Sequence, residues 1–525
     1  MLDCVHYSTA TGQGRRTDMG GIRDKRPIQC DCCSTAQVTI MTPLYSKYLS
    51  LSPHARQRLA DKLGPLEPIT AHDLPAKQFL DYACQDAVAT YRVWSTLLPR
   101  CYANGLDNVI EVDHAIIPMV DSMMGHGMRV DPQHFEMLCE ALPQMMEDKQ
   151  SQIRGLASIE NVGIDDQVAE LLFNKLGLPY LYMTDTGARP SVNQETLEAI
   201  KYNHPIVGLI LEWRELETLL TTFARPLLQR ALHMPDQRIH PNILLTRQPH
   251  GRLTTKEPNL LAMPFRTVLG RLIREGFIPT PGYSMLSVDF SHLEARVLAH
   301  LSGDAHLCEI FHMGGDPFRI MAGEWYGCPP SEIDDVKRYV CKHNFYGIQN
   351  GLTPQGLSTR LIGEGMRQWT VDKVKEYMAG FFKLYPGIAR VIDKWHAEAR
   401  QIGMVRGELS GRYRYLPQVR SIKKNVREYG LRAAQNFNMP DGASLIMKRA
   451  MKMIWDDPVI RAHMAAGDMW FNLQIHDELL CECVHQHVKF LGRYMANIME
   501  GAYKLSVQLK AKYAYSTQSW GAIEK

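Results

Sequence analysis

The sequence lacks a long uninterrupted apolar run. No stretch of about 18 apolar residues occurs in its 525 residues, and the opening MLDCVHYSTATGQGRRTD lacks the apolar segment of a secretory signal. We therefore expect neither a membrane span nor export by that route. The formal net charge is only +3, which is too small by itself to indicate a polyanionic partner.

The sequence also lacks the dense, even cysteine spacing of a disulfide scaffold. Its 12 cysteines are scattered, which favours a reducing, cytoplasmic compartment. Cys30, Cys32 and Cys33, with Cys4 or His6, form a close group of possible zinc ligands. No second CxxC pair completes such a site, so we favour a group of free cysteines there.

Basic residues are unevenly distributed despite the low net charge. Residues 246–275 carry Arg247, Arg252, Lys256, Arg266, Arg271 and Arg274 against two glutamates. Residues 419–432 carry Arg420, Lys423, Lys424, Arg427 and Arg432 against one glutamate. Such runs are usually solvated faces, but each of these adjoins one of the motifs described below.

The length and composition of the sequence predict several domains. A chain of this length with 45% apolar residues can form three or four cores. Helical spacing predicts a helix over 71–98 and a strongly helical region over 112–217. In the latter, Ile116, Val120, Met123 and Met124 form a stripe that is typical of core filling.

Two β-like runs end in carboxylates. Residues 283–288 lead into Asp289, and residues 470–475 lead into His476-Asp477-Glu478. A single aspartate at a strand end is more often a turn or cap residue than a metal ligand. Two of them, almost 190 residues apart, suggest one sheet that is built from distant segments and carries a carboxylate cluster of the kind that hard divalent ions bind.

A basic stripe is predicted between these strands. Arg338, Lys342 and Tyr346 recur at i, i+4 and i+8, so that they share one face of a helix. Two cations and an aromatic ring suit a triphosphate and a base. The alternative interpretation is a solvated basic face.

Three motifs in this order resemble those of family A DNA polymerases. Asp289-Phe-Ser-His-Leu-Glu294-Ala-Arg296 resembles DYSQIELR, Arg338 to Gly351 resembles RxxxKxxx(F/Y)GxxYG, and His476-Asp477-Glu478 matches HDE. His250-Gly251-Arg252-Leu253-Thr254-Thr255 resembles the TGRLSS segment. The resemblance extends from about Val112 to Val507. It implies a template-directed DNA polymerase of replication or repair.

The resemblance implies roles for individual residues around a two-metal centre. Asp289, Asp477 and the backbone carbonyl of Phe290 would bind two Mg²⁺ ions, for which Mn²⁺ can substitute, with Glu478 in support. Arg338 and Lys342 would hold the triphosphate. The nucleotide would also contact Tyr346, His292 and Asn350, and Glu294 would lie under the sugar, where it excludes a 2′-hydroxyl.

The same resemblance implies partners and a domain layout. Primer-template DNA would contact Arg252, Asn436, Arg432, His476 and Arg266. The dNTPs are the second substrate, and a processivity factor or a separate exonuclease chain is a possible partner. The implied fold is α/β (α+β), a right-hand polymerase with an antiparallel-sheet palm. Its expected parts are an exonuclease-like remnant at 1–111, a thumb at 112–245, palm at 246–307 and 405–525, and fingers at 308–404.

Four positions depart from the family pattern. Asn350 replaces a tyrosine that usually packs beside the glutamate of the first motif, and Pro440 replaces a glutamine that reads the minor groove. Phe318 replaces a histidine that helps hold the triphosphate, and His292 replaces a glutamine. These changes affect the expected fidelity and nucleotide affinity, but not the expected reaction.

The N-terminal region resembles only part of a 3′-5′ exonuclease. Tyr82 and Asp86 match its YxxxD motif, but residues 1–80 contain no DxE. Since two-metal hydrolysis needs more than one ligand, we expect a truncated domain without proofreading, no preceding 5′ nuclease, and a phage-type enzyme in its host's cytoplasm. Two alternatives are a single-subunit RNA polymerase, which Glu294 and Glu478 disfavour, and a catalytically silent DNA-binding remnant.

Overall fold

The computed structural model describes residues 76–180, 182–184, 187–264 and 267–524. The described residues fall into two units, one up to Arg100 and one from Cys101 onward. The cluster of Cys30, Cys32 and Cys33 with its partners Cys4 and His6, and also Arg266, lie outside the described residues.

One helix makes up the described part of the first unit. Helix α1 (Ala76–Ala103) confirms the expected helix, but it runs on past Leu98 to Ala103, because Pro99 does not end it. Tyr82 is half-buried and Asp86 is exposed, one turn apart on this helix. The segment that precedes this helix, in which the sequence contains no DxE, lies outside the described residues, so the exonuclease-like role of Tyr82 and Asp86 remains a prediction.

The second unit is mainly helical, as expected for 112–217. Its helices up to the large sheet are α2 (Asp107–Ala115), α3 (Ile117–His126), α4 (Pro132–Leu156), α5 (Asp165–Ala169), α6 (Gln194–Ile200), α7 (Pro205–Thr218), α8 (Arg225–His233) and α9 (Val268–Glu275). Two π-helical segments, Glu170–Lys175 and Leu219–Ala224, follow α5 and α7.

Further helices surround the sheet. They are α10 (Leu293–Ser302), α11 (Ala305–Met313), α12 (Pro317–Tyr326), α13 (Asp335–Gln349), α14 (Pro354–Gly363), α15 (Val371–Leu384), α16 (Pro386–Ile402), α17 (Lys424–Gln435), α18 (Asn438–Asp456), α19 (Pro458–Ala465) and α20 (Val488–Glu500). Short 3₁₀ turns occur at Leu260–Ala262, Pro330–Glu332, Pro417–Arg420 and His485–His487. Among the described helices, none combines the length and the apolar character that crossing a membrane requires.

The central sheet consists of four antiparallel strands, β5 (Tyr283–Phe290), β8 (Met469–Ile475), β9 (Glu478–Val484) and β10 (Ala511–Ser516). Their order across the sheet is β10-β5-β9-β8. Three small ladders pair β1 (Met128–Arg129) with β2 (Arg238–Ile239), β3 (Asn242–Leu244) with β4 (Thr254–Lys256), and β6 (Met404–Arg406) with β7 (Tyr413–Tyr415).

The expectation of one sheet from distant segments is confirmed, with two corrections. The first strand continues through Asp289 to Phe290, because β9 and β10 pair with it on both sides. The two predicted strands, β5 and β8, are not neighbours, since β9 lies between them.

Three apolar clusters form the core of the second unit. The first packs the sheet against flanking helices and includes Ile116, Val120 and Met123, with Met124 against it, which confirms the core-filling interpretation. The second lies around α12–α16, and the third lies between residues 153 and 213. Buried apolar residues within 116–142 and within 216–231 belong to the first cluster, so both ends of the expected thumb pack with the sheet. The domain boundaries themselves remain predictions.

Candidate active site

Two aspartates meet at one end of the central sheet. In the strand register, Asp289 of β5 lies opposite Glu478 of β9 on one side and Lys512 of β10 on the other. The next residue, Phe290, donates its backbone N–H to the carbonyl oxygen of Asp477 (3.1 Å). The two carboxylates that sequence reasoning paired are therefore on adjoining backbone segments.

The backbone beside each aspartate is in the left-handed region. His292 and His476 both have a φ of 56°, a conformation that non-glycine residues adopt rarely and that is often found at functional sites. His476 immediately precedes Asp477, and His292 is the N-cap residue of helix α10. At these two residues the backbone therefore turns sharply after each strand.

The carboxylates at this end are closely spaced and partly buried. Burial, opposed by Arg252 and reinforced by Glu294 and Glu478, raises the pKa of Asp477 to about 6. Glu478 is buried and accepts a 2.6 Å hydrogen bond from Ser287 Oγ. Because these neighbouring carboxylates repel one another, a bound divalent cation would stabilise their charged forms. Carboxylate oxygens are the ligands that hard ions such as Mg²⁺ prefer.

Helix α13 carries the predicted basic stripe. Its N-cap residue is Asp334, whose side chain accepts from the backbone N–H of Lys337 (2.7 Å). Arg338, Lys342 and Tyr346 are all half-buried on one face, which confirms the predicted helix. Arg338 is paired through Nε with Asp316, which also caps α12 by accepting from Phe318 N (2.9 Å).

Tyr346 is close to the acidic end of the sheet. Burial, together with Glu294 and Asp477, raises its pKa well above the ordinary value of 10. Its hydroxyl is therefore protonated, and so able to donate a hydrogen bond, at any pH at which the protein works. The ring packs against Phe318, with centroids 5.7 Å apart.

His292 and Phe318, two of the positions that depart from the family pattern, contact each other. Their rings meet edge to face with centroids 5.0 Å apart. Burial, followed by the nearby Lys342, lowers the pKa of His292 to about 4. The imidazole is thus neutral near pH 7, and it lies within the electrostatic field of the predicted triphosphate-binding cations.

Glu294 has two partners, one of which the motifs did not indicate. Its carboxylate forms an ion pair with Arg252 and accepts a 2.9 Å hydrogen bond from Gln349 Nε2. Gln349 is 1% exposed, whereas Asn350 is exposed at the end of α13. Gln349 lies about two helical turns beyond Lys342, so helical spacing could have found it on the same stripe.

The predicted DNA-contacting residues are distributed around this centre. Arg252 contacts Glu294, and Asn436 is the C-cap residue of helix α17, where its N–H donates to Arg432 O (2.9 Å). A Cβ at Gly351 would lie 3.2 Å from Arg432 Cγ, so Arg432 packs closely on the end of α13. His476 is exposed at the β8–β9 turn.

Sequence reasoning also missed a charge network that links α2, α18 and the segment between β6 and β7. Asp113 contacts Lys448 Nζ (2.6 Å) and Arg412 Nη2 (3.1 Å), and Ser410 Oγ donates to Asp441. Burial raises the pKa of Asp441 to about 7, although Ser410 and Arg412 oppose this. Pro440, the fourth departure, is buried in the first turn of α18 beside this network.

Comparison with known proteins gives one consistent result. The family model for DNA polymerase family A matches residues 132–522. The chain is 32% identical to the thermostable DNA polymerase I of Thermus filiformis over 437 residues, which are 83% of this chain and 51% of that protein. It is 32% identical to DNA polymerase I of Rhizobium leguminosarum over 475 residues, which are 90% of this chain and 45% of that protein.

A solved structure resembles the fold as well. The POL domain of Pol1 from M. smegmatis, in complex with DNA primer-template and dNTP, superposes with a TM-score of 0.70 at 30% identity. The superposition covers 78% of this chain and 70% of that one. The chain spans about half the length of the curated relatives it matches.

Proposed function

Because the chain belongs to DNA polymerase family A, we propose that it adds deoxynucleotides to a primer 3′-hydroxyl under the direction of a DNA template. The right-hand polymerase fold expected from the motifs agrees with the matched structure. The observation that carries the proposal is the register of the central sheet. It sets Asp289 against Glu478 and joins Phe290 N–H to the Asp477 carbonyl at 3.1 Å.

Members of this family generally use divalent metal ions, and the residues here fit two Mg²⁺ ions, with Mn²⁺ as a substitute. When bound, such ions activate the attacking hydroxyl and neutralise the charge of the leaving group. Asp289, Asp477 and the carbonyl of Phe290 would hold them. The raised pKa of Asp477 supports this, because a carboxylate destabilised by burial and by its neighbours gains most from a bound cation.

Arg338 and Lys342 would bind the triphosphate of the incoming nucleotide. Both are half-buried on the face of α13 that also carries Tyr346. Arg338 is paired with Asp316, so a phosphate oxygen would replace a carboxylate oxygen as its partner, and the guanidinium would not have to be desolvated anew. Fixed cations of this kind stabilise the charge that develops as pyrophosphate leaves.

Glu294 would select deoxyribose by occupying the space of a 2′-hydroxyl. Arg252 and Gln349 hold its carboxylate from two sides, which favours a rigid barrier over a mobile side chain. His292 and Tyr346 complete the proposed nucleotide pocket with Asn350 at its edge. A neutral His292 would offer a hydrogen bond in place of the usual glutamine.

The proposed partners are primer-template DNA and dNTPs. Arg252, Asn436, Arg432, His476 and Arg266 are the residues proposed to contact DNA, and a processivity factor or a separate exonuclease chain remains a proposed partner. We also propose a cytoplasmic location, that of the host if the source is a phage. Free thiols such as those of the buried Cys341 and Cys481 suit a reducing compartment.

The test is extension of a primed template by the purified protein. We expect products whose length and sequence follow the template with dNTPs, strong discrimination against ribonucleotides, and no extension when divalent ions are omitted. Equal use of ribonucleotides would instead indicate an RNA polymerase. Primed-DNA binding without any extension would indicate a silent remnant.

A further inference from the structure

A second group of potential metal ligands lies at the opposite end of the β8–β9 hairpin from Asp477. Asp468 immediately precedes β8, and His487 lies in the short turn that follows β9. Backbone pairing closes this end, because Val484 N donates to Asp468 O (2.8 Å). His463, near the end of α19, completes the group.

The three ligand atoms already converge. His463 Nδ1 lies 2.8 Å from Asp468 Oδ2, and His487 Nε2 lies 3.8 Å from the same oxygen. All three ligand atoms lie within 4.8 Å of one another. In a tetrahedral zinc site with bonds of about 2.0–2.1 Å, neighbouring ligands are separated by about 3.3 Å. Small side-chain rotations would therefore reach that geometry.

The local structure holds these side chains in place. Asp468 N donates to His463 O (2.8 Å), which fixes the turn between α19 and β8. The ring of His463 also packs against His487 and Phe490, with centroids 5.0 and 6.1 Å away. The side chains remain 19%, 26% and 33% exposed for His463, Asp468 and His487, so water can reach the group.

We propose that His463, Asp468 and His487 bind a Zn²⁺ ion, with water in the remaining position. Two imidazoles and one carboxylate suit zinc and its borderline neighbours better than Mg²⁺, which prefers oxygen ligands alone. The ion would take the place of the hydrogen bond between His463 and Asp468. Gln486, which contacts His487 Nε2 at 3.2 Å, is exposed and would turn aside.

The expected role of this site is structural. A bound ion would join the end of α19 to both strands of the hairpin whose other end carries Asp477. Because the ligands come from three separate segments, binding to the folded state would raise the unfolding temperature by mass action. The inference does not depend on the proposed polymerase activity.

The test is a zinc titration of the metal-stripped full chain in competition with a chromophoric chelator. We expect His487→Gln and His463→Gln each to bind one equivalent of Zn²⁺ fewer than wild type. The matched control is His485→Gln, two residues away in the same turn, which should bind as wild type does. Zinc taken up elsewhere, including by the candidate catalytic carboxylates, cancels in the comparison.

A second readout guards against misfolded variants. Zn²⁺ should raise the thermal midpoint of wild type and His485→Gln by a few degrees, and it should not raise that of Asp468→Asn, which keeps a hydrogen-bonding group but loses the carboxylate. Circular dichroism would identify any variant that does not fold. Equal zinc stoichiometry in wild type and in folded ligand variants would overturn the proposal, as would an equal thermal shift.

Discussion

The side-chain amide of Gln349 donates a 2.9 Å hydrogen bond to Glu294, and Arg252 holds the same carboxylate from another side. In the family pattern, a tyrosine at position 350 packs beside this glutamate. Here Asn350 is exposed, and the neighbouring Gln349, the last residue of α13, provides the contact with Glu294. Position 349 therefore takes part in the proposed barrier under the sugar.

We predict that Gln349→Leu relaxes discrimination against ribonucleotides. The variant loses the hydrogen bond to the Glu294 carboxylate, which then has Arg252 as its remaining partner. A loss of about 1–2 kcal/mol in the free energy that holds this carboxylate corresponds to a change of roughly 5- to 30-fold in the incorporation ratio. The measurement is the ratio of kcat/KM for a deoxy- and a ribonucleotide. Gln355→Leu, at an exposed position on the next helix, is the matched control. An unchanged ratio in Gln349→Leu would refute the assigned role.

The Tyr346 hydroxyl gives a prediction about chain terminators. A dideoxynucleotide lacks the 3′-hydroxyl, and a protonated tyrosine beside the triphosphate can supply the missing polar group. We expect Tyr346→Phe to discriminate against dideoxynucleotides by roughly 5- to 150-fold more than wild type, since an unmade hydrogen bond costs about 1–3 kcal/mol. Tyr339→Phe on the same helix should leave the ratio unchanged. Similar ratios in both variants would show that Tyr346 lies elsewhere in the closed complex.

Glu482 makes the free energy of unfolding depend on pH in the acidic range. Burial alone would raise its pKa, but the nearby His126 (3.8 Å), the hydrogen bonds from Thr280 and the charge of Arg238 lower it to about 2. The unfolded value is near 4.5, so the stabilisation is complete above pH 4.5 and is lost as the pH falls toward 2. It amounts to about 3 kcal/mol.

The corresponding variant is Glu482→Gln, with exposed Glu147→Gln as its control. At pH 7 we expect Glu482→Gln to unfold at lower urea concentration than wild type. The difference between the two proteins should narrow steadily between pH 4.5 and 2. A gap that stays constant with pH would mean that Glu482 titrates normally in the folded protein.

Two lysines on helix α18 allow a buried ion pair to be compared with an exposed one. Lys448 is 2% exposed and contacts Asp113 at 2.6 Å, whereas Lys452, one turn later, pairs with Asp456 at the surface. We predict that Lys448→Met destabilises the protein by about 3–5 kcal/mol and Lys452→Met by less than about 1 kcal/mol. Urea unfolding measures both, and equal effects would contradict the buried network.

Much of the local structure around the candidate site could be predicted because its residues follow regular periods. Strand alternation and helix spacing are local properties, so the segments leading into Asp289 and Asp477 and the stripe of Arg338, Lys342 and Tyr346 were identifiable. Strand β9 was not identifiable in this way. Its sequence ELLCECV is buried on both faces, so polar and apolar residues do not alternate along it.

Long-range polar contacts were the other omission. The partners of Glu294 come from positions 252 and 349, and those of Asp113 come from positions 412 and 448. Such pairs are decided by tertiary packing, which no local pattern encodes. The His463, Asp468 and His487 group has the same origin, because only the closed base of the hairpin brings its members together.

The most direct test of the central claim is primer extension by Asp289→Asn and Asp477→Asn, with exposed Asp121→Asn as the control. Each of the first two should extend a primer at less than about a hundredth of the wild-type rate, since loss of one electrostatic catalytic group typically costs about 10²–10³. Both should still bind primed DNA with nearly wild-type affinity, because phosphate contacts supply most of that affinity. Extension by either variant at a rate near that of Asp121→Asn would contradict the assignment of these two aspartates as the metal-binding pair.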